Sequence, residues 1–163
     1  MLLSRDELIA TLFRETDRAQ RMKTPLAIIR GGIHDWPRQR SELGDAVLDS
    51  ALDEIELRIT RLFRCYDSVS QIADGGLVLI LPGCNRSSAE NMAKRLNREV
   101  FAAPLTIGGQ QIQLSASFRA VSSGGRSPLV VLREAEHSLR AAMTEWQEST
   151  LCIVPEDKSL RKK

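Results

Sequence analysis

The residues best placed for chemistry are Arg64 and Asp67, three apart in Arg64-Cys65-Tyr66-Asp67. A guanidinium fork can take a phosphate or a nucleobase edge bidentately, and a carboxylate beside it can accept from N–H donors. Both residues also have plain structural uses. An arginine favours the C-terminal end of a helix, and an aspartate can open a strand through a turn hydrogen bond. The other reactive side chains are scattered. Cys65, Cys84 and Cys152 show no C-x-x-C spacing, so no metal-ligand set is legible. Three unpatterned cysteines point to reduced thiols in a cytoplasmic protein. His34 stands alone and reads as a surface or packing histidine.

The elements that position these residues centre on a hairpin from Arg64 to Gly83. Its first arm, Asp67 to Ala73, carries Val69 and Ile72 among polar residues. Its second arm, Leu77 to Leu81, is wholly apolar, as expected of a central strand buried on both faces. Ala73-Asp74-Gly75-Gly76 links them, and Asp-Gly is the signal of a turn with positive φ at both central residues. Pro82-Gly83 ends the second arm. Net charge is only +2, which calls for neither nucleic acid nor an acidic membrane as partner. No apolar stretch would span a bilayer and no signal peptide is legible. At 163 residues and 42% hydrophobic the chain suits one domain with its own core. That domain is expected over 1–155, with 156–163 a charged, loose tail.

Along the chain, Ser4-Arg5-Asp6-Glu7 reads as a capping box that opens a helix to about Met22, with Leu8, Leu12 and Ala19 inward and Ile9 and Phe13 beside them. Leu26 to Ile29 reads as a short buried strand and Pro37 to Gly44 as a loop. A helix follows from about Asp45 to Phe63, its stripe Leu48, Leu52, Ile55, Ile59 and Leu62. Ser87-Ser88-Ala89-Glu90 predicts a second capping box and a helix to about Val100. Leu105 to Ile107, Gly108-Gly109 and Gln111 to Val121 predict a second hairpin. Ser127-Pro128 starts a last helix to about Glu145, and Leu151 to Val154 a final strand.

The hairpin, its apolar second arm and the closing Leu81-Pro82-Gly83 resemble the GGDEF family, bacterial domains that condense two GTP into cyclic di-GMP. The likeness spans about Leu3 to Pro155 and implies an α/β fold: the nucleotidyl-cyclase palm, a central mixed sheet of about five strands flanked by helices. Aligned back from Pro82, the signature positions hold Ala73, Asp74, Gly75 and Gly76, with Leu77 in the Phe place. The family's metal-binding Asp at the end of the early strand is Gly32, the second Asp of that motif is His34, and Trp36 keeps the aromatic. Asp35 is one residue out of phase and is turned to the opposite face. The guanine-reading Asn and Asp places hold Arg40 and Asp49. On the last helix the phosphate-binding Lys is Met143, and the following Arg place is Gln147.

Mg²⁺ wants hard oxygen ligands, and the carboxylate positions here are Gly32, Gly75 and Gly76. The resemblance therefore implies a domain without cyclase activity, with no metal or cofactor of its own. Putting Gly32→Asp, Gly75→Asp and Gly76→Glu back together is expected to restore metal binding. What survives is the Arg-x-x-Asp at Arg64 and Asp67, which in many relatives binds cyclic di-GMP; a further Arg of that site falls on Arg95. The implied function is a cyclic di-GMP receptor through Arg64, Asp67 and Arg95, or a regulatory protein-interaction module. Its alternative is a pure interaction domain presenting an apolar patch, for which Trp36, Trp146 and Leu160 are candidates. With no sensor domain in the sequence, the signal is expected to come from a signalling partner or from nucleotide.

Overall fold

The structure, a computed structural model, describes the backbone of residues 2–161 and the side chains of residues 2–149. Thirteen elements follow one another: β1 Leu2–Leu3, α1 Arg5–Met22, β2 Leu26–Ile33, α2 Trp36–Leu43, α3 Asp45–Thr60, β3 Ser68–Ile72, β4 Gly76–Pro82, α4 Arg86–Arg95, a π-helical turn Leu96–Val100, β5 Leu105–Ile107, β6 Gln110–Ile112, β7 Ala116–Ser122 and α5 Pro128–Arg161. Five strands form one mixed sheet in the order β1-β3-β4-β2-β7, parallel only between β1 and β3. The expected α/β architecture is thus present. β5 and β6 pair separately.

Strand alternation divides the core in two. Ala27, Ile29, Leu77, Leu79 and Leu81 face α3 and α4 with Leu48, Leu52, Ile55 and Ile59. Leu26, Ile28, Val78 and Ile80 face the other way, against Leu8 and Leu12 of α1 and Val131 and Ala135 of α5. β4 is buried on both sides, as its unbroken apolar run requires. The Ser4 box is formed: Ser4 N donates to Glu7 Oε2 at 2.8 Å and Glu7 N to Ser4 Oγ at 3.3 Å. Arg58 of α3 donates to the carbonyls of Val100, Ala103 and Pro104. It thereby ties α3 to carbonyls at the end of the π-helical turn and in the segment just after it.

Five local expectations are corrected. The early strand runs on to Ile33, because Gly31 and Gly32 continue its ladders to β4 and β7. The segment after it is a helix rather than a loop, with Pro37 in its first turn. The second capping box is not used: Asn85 is the N-cap of α4 and accepts from Ser88 N at 2.8 Å. Gln111 to Val121 is two strands, since β6 ends at Ile112 and β7, starting at Ala116, joins the central sheet. No strand forms at Leu151 to Val154, where the backbone continues α5 to Arg161; of the expected tail, residues 162 and 163 lie outside the described residues. Among the described residues no helix is long and apolar enough to cross a membrane.

Candidate functional site

The signature turn is a tight one. Asp74 has φ 62° and Gly75 φ 71°, the left-handed pair that such a hairpin needs, and Gly76 N donates to Ala73 O at 3.3 Å. The turn rests on Trp36. An ideal Cβ on Gly75 would stand 2.5 Å from that indole ring, so only glycine lets the turn lie flat on it. Trp36 is itself buried, and its Nε1 has no hydrogen-bond partner among the described residues. It therefore belongs to the core and not to an exposed patch.

Gly32 and Gly76 pair across β2 and β4, directly beside the turn. Leu139 and Met143 of α5 close over Gly32, where a Cβ would meet Leu139 Cδ2 at 3.1 Å. Arg30 lies two residues before Gly32 and so on the same face of β2. Its guanidinium reaches forward to Gly76, where an ideal Cβ would stand 2.8 Å from Nη1, and Nη1 donates to Gly31 O. Burial pushes the Arg30 guanidinium down from its ordinary value; Glu136 raises it and Arg140 lowers it again. A cleft of about 560 Å³ opens here, with Arg30, Gly32, Ala73, Asp74, Gly76 and Met143 on its wall. The structure thus brings together most of the positions expected to form the altered active site. A cation stands among them where the family's carboxylates are expected. Among the described residues no three His, Cys, Asp or Glu side chains gather as a metal site.

The sequence alone does not mark Arg30 as a site residue. Its signal is a lone charge inside the apolar strand Leu26-Ala27-Ile28-Ile29-Arg30, in phase with Gly32.

The remaining positions are engaged locally. Arg40 pairs with Asp45 at 3.3 Å and lies 5.9 Å from the Trp36 ring centre. Asp49 is exposed on α3. Asp35, at φ 58°, pairs with Arg38 at 2.8 Å. His34 is a packing histidine. It is buried, with Nδ1 2.7 Å from Ser115 Oγ and Nε2 2.7 Å from Ser117 Oγ, and it stacks on Trp146 at 4.2 Å. Trp146 is half-buried in that stack, and the Leu160 side chain lies outside the described residues.

Arg64 and Asp67 bind each other. Asp67 Oδ2 accepts from Arg64 N at 2.9 Å and stands 3.6 Å from Arg64 Nε, and Asp67 N donates to Arg64 O at 3.1 Å. Asp67 is 0% exposed, while the Arg64 side chain is 48% exposed. Its Nη2 donates to Pro82 O at 3.2 Å, and its guanidinium lies 4.7 Å from the centre of the exposed Tyr66 ring. Arg95 pairs with Glu99 one turn on, at 3.2 Å. The three residues expected to form one ligand site are therefore one tied pair and a separately paired arginine.

The family model described as "Diguanylate cyclase, GGDEF domain" matches residues 1–149. Among solved structures, the GGDEF domain of YfiN (TpbB) from Pseudomonas aeruginosa is similar at TM-score 0.82 and 20% identity, over 88% of this chain and 91% of that one. The GGDEF domain of DgcB from Caulobacter crescentus, solved in complex with c-di-GMP, is similar at TM-score 0.80 and 16% identity, over 88% and 84%. Diguanylate cyclase SiaD of Pseudomonas aeruginosa, solved in complex with its activator SiaC, is similar at TM-score 0.75 and 18% identity, over 90% of this chain and 55% of that one. No curated protein matches the chain by sequence. With the palm sheet, the signature hairpin at its centre and the family match over nearly the whole length, the chain belongs to the GGDEF family.

Proposed function

We propose that this GGDEF domain makes no cyclic di-GMP and serves as a regulatory module in cytoplasmic signalling, exerting its effect on a protein partner. The observation that carries this reading is the Arg30 guanidinium beside Gly32 and Gly76. Phosphodiester formation between two nucleotides needs positive charge held on the triphosphate by a metal. The metal in turn needs carboxylates, and those positions here offer three glycines, with a cation beside them that would repel it. Met143 adds no charge where the family's lysine would.

The test is incubation with GTP and Mg²⁺ or Mn²⁺, followed by chromatographic separation of nucleotides. The expected outcome is GTP left intact. Product that grows with time and with protein concentration would overturn the reading.

A receptor role through Arg64 is a second reading, favoured by one observation. Arg64 and Tyr66 are both about half exposed and lie cation over ring at 4.7 Å, a surface on which a guanine base can stack and a phosphate can bind. In this reading Asp67 positions the arginine, and Arg95 contributes from the following helix.

A further inference from the structure

We propose that the cleft over Gly32 and Gly76 is a metal-independent binding site for a small, singly charged carboxylate with an apolar body, gripped by Arg30. The inference rests on the reading that this cleft is no longer a cyclase centre.

The first support is the state of the arginine. A guanidinium carries five N–H donors. Arg30 spends one on Gly31 O and makes no ion pair within 4 Å among the described residues. Glu136, the acid whose charge acts on it, is itself held by Arg140 at 3.0 Å. A half-buried cation without a carboxylate is costly to the fold. An incoming oxyanion would supply the missing partner in the fork geometry that guanidinium prefers.

The second support is the wall around it. Leu8, Ile9, Leu132, Leu139 and Met143 line the same cleft, so the space next to the charge is apolar. At about 560 Å³ it falls in the range of small-molecule sites, in which apolar walls carry a few placed polar groups.

The third support selects the charge. The ionic groups lining the cleft are Arg5 and Arg30 against Asp74 and Glu136, so their charges cancel. A triphosphate would meet two carboxylates and only two guanidinium groups, too little positive charge to balance its own. A single carboxylate at Arg30 is matched one to one. At Gly76 the absence of a side chain is what gives the guanidinium its place, since any Cβ there would push into it.

The test is calorimetric titration of the intact protein with 4-phenylbutyrate in EDTA, set against the uncharged 4-phenylbutyramide. The carboxylate is expected to bind about tenfold or more tightly than the amide. Arg30→Leu is expected to abolish that difference while the protein stays folded, because the change removes a buried charge. Met143→Lys is a second variant that leaves Arg30 in place, and it is expected to retain the preference for the carboxylate. Equal affinity for acid and amide, an unchanged preference in Arg30→Leu, absence of binding by the parent, or displacement of phenylbutyrate by GTP in EDTA would each overturn the proposal. No GTP turnover enters the titration of acid against amide, so its failure is distinguishable from a positive cyclase assay.

Discussion

Arg30 and Gly76 share one space: a Cβ built on Gly76 would stand 2.8 Å from Arg30 Nη1 and 2.6 Å from Ile72 Cγ1. The loss of the signature is therefore not three independent vacancies that carboxylates could refill. At Gly75 a side chain would run into the Trp36 ring from a backbone at φ +71°, and at Gly32 it would press on Leu139. The neighbouring side chains have closed over the glycines.

These contacts bear on the expectation that restoring the carboxylates restores the metal, and they favour the opposite outcome. Gly32→Asp, Gly75→Asp and Gly76→Glu together should cost about 2–4 kcal/mol, from left-handed backbone strain and overpacking. The triple variant should show no Mg²⁺-dependent rise in Tm at constant ionic strength. Adding Arg30→Val should recover part of the lost stability by vacating the space at Gly76. A Mg²⁺-dependent rise in the triple variant alone would show that the tip can reopen.

His34 should make stability fall in mild acid. Burial holds its imidazole below the ordinary value of 6.5, while the unfolded chain titrates near that value. Between the two the unfolded state binds more protons, so stability rises with pH there. It is fully present above about 6.5 and is lost as pH falls toward the lowered folded value. The urea midpoint should be lower at pH 5.5 than at 7.5, and His34→Gln should flatten that difference. Glu56, which burial pushes up, has the opposite sign and cancels in the comparison of the two proteins.

The hairpin, the α3 stripe and the buried β4 were legible because periodicity and turn chemistry are local. What escaped the sequence depends on partners far along the chain. Asp67 looked like a surface ligand group, but its burial comes from the sheet that forms around it. Ser88 is bonded by Asn85, and a single side-chain bond of that kind decides which of several polar residues caps α4. The break between β6 and β7 follows from β7 pairing with β2, about ninety residues earlier in the chain. Arg30 was in plain sight, but its reach toward Gly76 requires knowing that β2 and β4 are neighbours and that Gly32 faces Gly76.

Asp74 should matter to the turn and not to any ligand at Arg64. At φ 62° it occupies a region that aspartate tolerates better than alanine. Asp74→Ala should cost about 1 kcal/mol in a denaturation midpoint, and Asp74→Gly close to nothing. Neither should alter the binding of cyclic di-GMP. A changed affinity in either variant would place the ligand at the turn.

Arg64 and Asp67 should separate cleanly by experiment. The sequence predicts that replacing either leaves the unliganded protein's stability nearly unchanged, because both read as surface groups. The burial of Asp67, with Oδ2 bonded to Arg64 N, changes that for one of them. Asp67→Ala strips the acceptor from a turn at the mouth of β3 and should destabilise by about 1–3 kcal/mol. Arg64→Ala leaves the backbone N–H on the carboxylate and removes only a half-exposed guanidinium 3.6 Å away, so it should cost less, about 1 kcal/mol. In the receptor reading, Arg64→Ala lowers cyclic di-GMP affinity about tenfold to a hundredfold, through a lost charge-assisted contact. Tyr66→Ala then weakens it as well, by removing the ring on which the base stacks. Thermal melts of the unliganded variants, followed by calorimetric titration of those that remain folded, decide the matter. Equal affinity in Arg64→Ala and the parent would exclude the site. No heat and no melting shift with the parent would leave the protein-interaction reading in its place.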